Sequence, residues 1–134
     1  MPPARSWRNY PQTYRLEAAR CKKCQKVFFP PRLVCNKCSS REFERFNMQR
    51  TGKVLTHTII RTPSDEFTGE GPFALGIIQM DDGARLTTQI VDVPFDQVKI
   101  GLPVKLEFRR ISAEGDSGII HYGHKAVPLR DQPR

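Results

Sequence analysis

The chain has 134 residues, of which 38% are hydrophobic and 27% charged, and its formal net charge is +8. This length fits one compact domain or two small ones, and no apolar run approaches the ~20 residues of a membrane-spanning helix. The first residues lack the apolar stretch of a secretory signal, so we expect a cytoplasmic protein.

The positive charge is concentrated in the first third of the chain. Residues 1–48 contain 11 Lys/Arg and 3 Asp/Glu, a balance of +8, whereas residues 49–134 contain 11 of each and balance to zero. A basic region of this kind attracts polyanions such as nucleic acid, the phosphates of a nucleotide cofactor or an acidic protein surface. A solvated basic surface has the same composition, so charge alone does not choose between these interpretations.

The first predicted element is a short helix over residues 4–9, within an N-terminal helical segment 1–13. It should end before Pro11, because a proline disfavours helical geometry at the preceding Tyr10. Trp7 and Tyr10 would share one face of this helix. The segment is too short to bury the only tryptophan of the chain. We therefore expect Trp7 either to pack on the following module or to dock on a partner.

Two Cys-x-x-Cys turns dominate the next region, residues 14–48. Cys21 and Cys24 form the first turn and Cys35 and Cys38 the second, which uses every cysteine in the chain. Two such turns can direct four thiolates at one ion, the tetrahedral arrangement that structural zinc prefers. Two disulfides would need an oxidising compartment, and iron would use the same four thiolates. We predict zinc, although the spacing alone leaves the metal open.

The residues around the cysteine turns predict a small ribbon and a linker. A period-two pattern starts at Tyr14 and predicts a strand into the first turn, and residues 26–29 predict the returning strand. Pro30-Pro31 ends the pairing, because proline cannot donate a ladder hydrogen bond. Residues 39–48 should follow an extended or irregular path. Because a ribbon of this size has no adequate apolar core, the metal would hold it together.

Residues 49–127 alternate strands with turns. Strands are predicted over residues 53–61, 73–80, 84–91, 104–110 and 119–127, with a hairpin signal at Asp82-Gly83. Five strands without a long helix predict a small closed barrel. A five-stranded OB-fold fits best, and an SH3-like barrel remains open. The predicted fold is therefore mostly β: a short N-terminal helix, a rubredoxin-like zinc ribbon, an OB-fold barrel and a polar tail over residues 128–134.

No sequence pattern indicates an enzyme. The chain has no glycine-rich phosphate loop and no paired-carboxylate motif, and four thiolates leave zinc no open coordination position. A nucleic-acid-binding ribbon and OB-fold module is the alternative function. The loop at 63–72 argues against this on the barrel face, because its charged residues, Asp65, Glu66 and Glu70, are all acidic.

The order of these motifs resembles one family over roughly residues 5–128. A helical Trp segment, the element Phe29-Pro-Pro-Arg32 between two Cys-x-x-Cys turns, and a five-stranded barrel are similar to the acyl-CoA-associated zinc-ribbon/OB-fold proteins of domain of unknown function 35. The lead-in over residues 7–16 resembles the archaeal members. Gln25 and Ser39 depart from the pattern, because zinc knuckles commonly place glycine after the second cysteine.

The resemblance implies a non-catalytic accessory subunit of thiolase-fold enzymes that act on acyl-CoA. The implied partners are acetoacetyl-CoA thiolase and hydroxymethylglutaryl-CoA synthase of the mevalonate pathway, with structural zinc as cofactor and coenzyme A as a further ligand. We expect the docking surface within residues 1–48, where aromatic and cationic side chains combine as in interface hot spots. The residues predicted to bind partners or coenzyme A are Trp7, Arg8, Tyr10, Arg20, Lys22, Lys23, Phe28, Phe29 and Arg32.

Overall fold

A computed structural model describes residues 3–65, 71–113 and 115–129. Its α-helix is α1 (Pro3–Arg15), and its strands are β1 (Glu17–Cys21), β2 (Val27–Phe28), β3 (Phe43–Asn47), β4 (Thr51–Ile60), β5 (Phe73–Met80), β6 (Arg85–Ile90), β7 (Pro103–Ala113) and β8 (Ile120–Pro128). A short 3-10 helix, Phe95–Gln97, lies between β6 and β7. Within these ranges no helix is long and apolar enough to cross a membrane. Glu66 and Glu70 of the predicted acidic loop, and residues 130–134 of the predicted tail, lie outside the described residues.

Helix α1 is longer than the sequence predicts, since it continues through Pro11 for another turn. The proline removes the donor that would bond the Trp7 carbonyl, but tertiary packing holds the last turn. The Tyr14 ring packs edge-on against Phe108 with centroids 5.0 Å apart, and Leu16, just beyond the helix, is 2% exposed. The predicted end of the helix before Pro11 and the predicted strand start at Tyr14 are therefore wrong.

Leu16 turns the chain from α1 into β1. Its φ of 52° lies in the left-handed region, which is unusual for leucine. Its N–H donates to the Thr13 carbonyl at 3.4 Å, and its own carbonyl accepts from the Met48 N–H at 2.9 Å. Because the Leu16 side chain is buried in the core, the gain from that burial offsets the backbone strain.

The ribbon is a three-stranded antiparallel sheet in the order β2-β1-β3. Strands β1 and β2 form the predicted hairpin with the first cysteine turn at its tip. The segment predicted as extended or irregular forms β3, which pairs with β1 from Glu17↔Asn47 to Cys21↔Phe43. The ribbon therefore has one more strand than the sequence patterns predict.

Strands β4 to β8 close a five-stranded barrel in the order β4-β5-β6-β8-β7. Strands β6 and β8 pair in parallel through Ile90↔Ala126, and the other neighbours are antiparallel. This arrangement confirms the predicted OB-fold and excludes the SH3-like alternative. Strand β8 includes Pro128, and the Leu129 N–H bonds the Pro103 carbonyl at 3.0 Å, so the predicted tail starts too early.

One apolar core joins the barrel to the base of the ribbon. Its buried members are Leu16, Ala18, Met48, Val54, Ala74, Ile78, Met80, Ala84, Ile90, Val98, Val104, Leu106 and Ala126. A second, smaller cluster at the ribbon tip is built from Cys21, Phe28 and Cys35. The base of the ribbon is thus held by the barrel core, whereas the tip needs its own stabilisation.

Candidate metal centre and docking surface

The two cysteine turns share one backbone geometry. In each, the N–H of the first cysteine donates to the carbonyl five residues later, and the N–H four residues later donates back to that cysteine's carbonyl, at 2.9–3.0 Å. The bonds are Cys21 to Lys26 and Gln25 to Cys21 in the first turn, and Cys35 to Ser40 and Ser39 to Cys35 in the second. The same structural unit is therefore used twice, facing one point.

The turns close at residues with positive φ. Gln25 has a φ of 66° and Ser39 a φ of 59°, at the two positions where we expected glycine from the family pattern. A residue other than glycine in this left-handed backbone conformation costs about 1–2 kcal/mol of folding free energy relative to glycine. The Gln25 side-chain amide donates to the Lys22 carbonyl at 3.3 Å, a local contact that stabilises the turn. Both turns keep the knuckle geometry without glycine.

The four cysteine sulfurs are arranged for one metal ion. All four Sγ atoms lie within 4.8 Å of one another, and the Cys21–Cys38 and Cys24–Cys35 Sγ pairs are each 3.5 Å apart. This separation is far longer than the ~2.05 Å of a disulfide. It is close to the ~3.8 Å edge of a tetrahedron with Zn–S distances of ~2.3 Å. The residues fit structural zinc, as predicted, and the disulfide alternative is excluded.

Backbone N–H groups favour thiolates at the first cysteine of each turn. The pKa of Cys21 is lowered to about 6, chiefly by the backbone N–H of Cys24. Burial acts to raise the pKa of Cys35, but the backbone N–H groups of Cys38 and Lys37 outweigh it and lower that pKa. Thiolates are the form that binds metal, and bound zinc would supply the positive charge that lets four of them share one site.

Basic side chains brace the ribbon tip from outside. The Lys26 Nζ donates to the Asn36 side-chain oxygen at 2.8 Å, which ties the first turn to the second. The Lys26 and Arg32 side chains both lie over the Phe28 ring, 5.2 and 5.3 Å from its centroid. Cations over an aromatic face are attracted by its negative quadrupole. Part of the basic charge of this region therefore stabilises the fold.

Five of the predicted partner-binding residues are on the surface. Trp7 is 73% exposed, so the alternative in which it packs on the chain's own ribbon is wrong. Arg8, Lys22, Lys23 and Arg32 are also exposed. An indole left in water on an ordered helix is an apolar surface available to a partner.

The other four predicted partner-binding residues pack within the chain. Phe28 is 6% exposed and lies in the tip cluster, so its prediction as an apolar anchor is corrected. Phe29 packs against the main core. The Tyr10 ring stacks on Tyr14 with centroids 5.2 Å apart, and the Arg20 guanidinium lies 4.5 Å from the Phe46 centroid.

Sequence reasoning missed two exposed apolar residues at the second turn. Leu33 is 81% and Val34 44% exposed. Their position in the sequence indicates this exposure. They lie between Pro30-Pro31 and the metal ligand Cys35, a segment that cannot form a strand and so cannot pack into a core as part of a sheet. We call the exposed members of this region the exposed docking set, which consists of Trp7, Arg8, Lys22, Lys23, Arg32, Leu33 and Val34.

Family comparisons assign both modules. Residues 8–44 match the family described as "ChsH2, rubredoxin-like zinc ribbon domain", and residues 47–109 match "ChsH2, C-terminal OB-fold domain". The boundary between the two matches falls within β3 (Phe43–Asn47), the last strand of the ribbon before the barrel.

Individual relatives and a solved structure agree with these families. A "DUF35 domain-containing scaffold protein" of Methanocaldococcus jannaschii is 41% identical over 95% of this chain and 91% of its own length. "Benzoylsuccinyl-CoA thiolase subunit BbsA" of Thauera aromatica is 31% identical over 59% of this chain and 54% of its own length. The structure "Ltp2-ChsH2(DUF35) aldolase" matches with a TM-score of 0.68 at 26% identity, covering 93% of this chain and 92% of the other.

Proposed function

Because this chain belongs to the DUF35 family of zinc-ribbon and OB-fold proteins, we propose that it is a non-catalytic scaffold subunit of a thiolase-type acyl-CoA enzyme. The observation that carries the proposal is the exposed indole of Trp7 on an ordered helix. Burying this ring against a partner would remove a large apolar surface from water, which is the main driving force for association.

The exposed docking set has the composition of a protein interface. Its apolar members are Trp7, Leu33 and Val34, and its cationic members are Arg8, Lys22, Lys23 and Arg32. A stable complex buries at least about 1,200 Å² in total, which one cysteine turn cannot supply. We therefore infer that α1 and both turns of the ribbon take part, with the aromatic and arginine residues as the strongest contacts.

A scaffold role also fits the chemistry of the metal centre. Four thiolates occupy all positions of a tetrahedral zinc and leave none for substrate or water. Within the described residues, these cysteines form the one group of three or more potential metal ligands. The zinc site therefore supports folding of the docking surface and offers no hydrolytic centre.

The proposed partners are acetoacetyl-CoA thiolase and hydroxymethylglutaryl-CoA synthase of the mevalonate pathway, joined in the cytoplasm by this subunit. Support comes from the archaeal relative named as a scaffold protein and from the relative named as a thiolase subunit. The exposed basic residues Lys22, Lys23 and Arg32 would also attract the phosphates of coenzyme A bound at the interface.

The proposal is tested by measuring the affinity of this protein for acetoacetyl-CoA thiolase from the same organism by titration calorimetry. Trp7→Ala should weaken the complex by roughly 2 kcal/mol or more and leave the melting temperature unchanged, because the ring is exposed. Ile100→Ala is the matched control, since Ile100 is 70% exposed but follows β6 on the barrel.

Two results would contradict the proposal. Equal affinities of wild type and Trp7→Ala for the thiolase would show that Trp7 makes no contact that stabilises the complex. Absence of any complex with the thiolase, combined with sub-micromolar and sequence-preferring binding to an oligonucleotide at physiological salt, would favour the nucleic-acid module instead.

A further inference from the structure

A cavity of about 740 Å³ lies between α1 and the barrel strands. The helix contributes Ser6, Asn9, Tyr10 and Thr13, which are spaced i, i+3, i+4 and i+7 and therefore form one stripe. Residues of all five barrel strands line most of the remainder, together with Leu16, Phe29 and Ser64. The volume falls within the ~300–1,000 Å³ typical of small-molecule sites.

The described lining contains no Lys, Arg, Asp or Glu side chain. His124 is held neutral, because the Arg50 guanidinium, which can only donate, lies 2.9 Å from His124 Nε2. Burial, followed by the Arg50 charge, lowers the pKa of His124 to about 4. No Lys, Arg, Asp or Glu side chain of the described lining could pair with a charged ligand, and the nearby Arg50 guanidinium is already engaged by His124. A charged ligand would therefore lose its hydration here with little compensation, so the lining favours an uncharged molecule.

Aromatic rings form much of the wall. Tyr10 and Tyr122 line the cavity, and each is backed by a stacked neighbour: Tyr10 by Tyr14 with centroids 5.2 Å apart, and Tyr122 by Phe108 at 5.5 Å. Rings fixed in this way form flat, preorganised surfaces, which favour a planar apolar ligand.

One fully buried polar atom of the described lining, Ser6 Oγ, has no hydrogen-bond partner. Ser6 itself is 3% exposed. A buried hydroxyl without a partner is costly and is normally satisfied. By contrast, the hydroxyl of Thr88, also in the lining, donates to the His124 carbonyl at 2.7 Å. The Ser6 hydroxyl is therefore the polar contact that a bound molecule would complete.

We propose that this cavity binds an uncharged, flat and largely apolar small molecule that carries one hydrogen-bonding group directed at Ser6 Oγ. The site goes beyond the scaffold role and does not depend on it, because none of the exposed docking set lines the cavity. It also gives Tyr10 and Phe29, both in the lining, a role inside the protein.

Two fluorescent probes that differ by one charge test the site. N-phenyl-1-naphthylamine is neutral and carries one N–H, and 8-anilinonaphthalene-1-sulfonate has the same rings plus a sulfonate. The neutral probe should bind at one site per chain and at least about ten-fold more tightly than the sulfonate, because the lining offers no cation to the added charge.

Variants on α1 locate the binding. Asn9→Trp should obstruct part of the cavity and weaken binding of the neutral probe at least about ten-fold, whereas Arg5→Trp adds the same ring at an exposed position outside the lining and should leave binding unchanged. Thr13→Trp is the alternative filling variant if Asn9→Trp fails to fold. Ser6→Ala should weaken the neutral probe about three- to ten-fold through the lost hydrogen bond.

The proposal is overturned if the neutral probe does not saturate at one site, or if a folded Asn9→Trp or Thr13→Trp variant binds it as tightly as wild type. Displacement of the neutral probe by coenzyme A at comparable affinity would overturn the requirement for an uncharged ligand. None of these outcomes depends on the thiolase, so a failed docking experiment leaves this test intact.

Discussion

Gln25 and Ser39 are departures from the family pattern, because zinc knuckles commonly place glycine at these positions to allow a positive φ. The structure shows that both residues adopt a positive φ although neither is glycine. The sequence pattern does not show which interactions offset the cost of this backbone conformation. The metal site and the repeated hydrogen bonds of the turns hold the conformation, and Gln25 adds the bond to Lys22. Two local strains are thus retained by the surrounding structure.

Gln25→Gly should therefore raise stability by about 0.5–1 kcal/mol. Relief of the left-handed backbone, worth about 1–2 kcal/mol, exceeds the larger entropy loss of glycine on folding. Lys23→Gly, in the same turn but without a positive φ, is the control and should destabilise. Chemical unfolding of the zinc-loaded protein measures both. A loss of stability in Gln25→Gly equal to that in Lys23→Gly would mean that the Gln25 side chain matters more than its backbone.

His124 makes stability depend on pH. Its folded pKa of about 4 lies below the ordinary value of 6.5, so the unfolded chain binds the proton more readily between these values. The stability contributed by neutral His124 is complete above about pH 6.5 and is lost as the pH falls towards 4. His124→Gln should lose less stability than wild type between about pH 7 and 5. Protonation of the cysteines affects both proteins, so parallel stability curves would contradict this prediction.

The sequence predicts the elements of this fold correctly where the interactions that determine them are local. Alternating side chains and turn residues such as Asp82-Gly83 located all five barrel strands, because pleating and turn formation depend on neighbours in sequence. The predicted end of α1 is wrong because the sequence shows only the local cost of Pro11. The contact of Tyr14 with Phe108, which supports the last turn, joins residues far apart in the chain. Strand β3 is not predicted for the same reason. Its pairing with β1 joins segments that are separated in the sequence by both cysteine turns.

The separation of the two apolar clusters predicts what loss of the metal does. Cys35→Ser should unfold the ribbon tip and leave the barrel folded, because the tip cluster is distinct from the main core. Apparent binding free energies of about 10–16 kcal/mol are typical of structural zinc, so the tip should not persist without it. Elemental analysis should give less than one zinc per chain, and a lysine-specific protease should cut first at Lys22, Lys23, Lys26 or Lys37.

Chelation of zinc from the wild type provides the matched comparison for Cys35→Ser. The same protease pattern is expected, with the cooperative melting of the barrel retained in both samples. Melting of the whole chain as one unit after zinc removal would show instead that the tip and the barrel core depend on each other. Unchanged protease resistance would mean that packing of Phe28 suffices to hold the tip.

The basic side chains of residues 1–48 are of two kinds: some contact a neighbouring group of the chain itself, and others extend into solvent from the first cysteine turn. Arg15 and Arg45 pair with Glu17 at 3.3 and 3.0 Å, and Arg20 lies over Phe46. Lys22 and Lys23 instead project from the first cysteine turn as exposed side chains. Composition gave the total charge, but only the fold shows which cations remain available to guide a partner.

Reversing the charge of Lys22 and Lys23 should slow association with the thiolase. Lys22→Glu with Lys23→Glu changes the formal net charge from +8 to +4 and should lower the association rate about ten-fold at low salt, because steering by the patch is lost. The barrel pair Lys53→Glu with Lys99→Glu makes the same change in net charge at exposed sites and should have a smaller effect. Stopped-flow measurements over a salt series should show the rates of all three proteins converging as salt screens the charges. Equal slowing by both pairs would assign the effect to net charge, and no slowing by either would show that the ribbon patch does not steer the encounter.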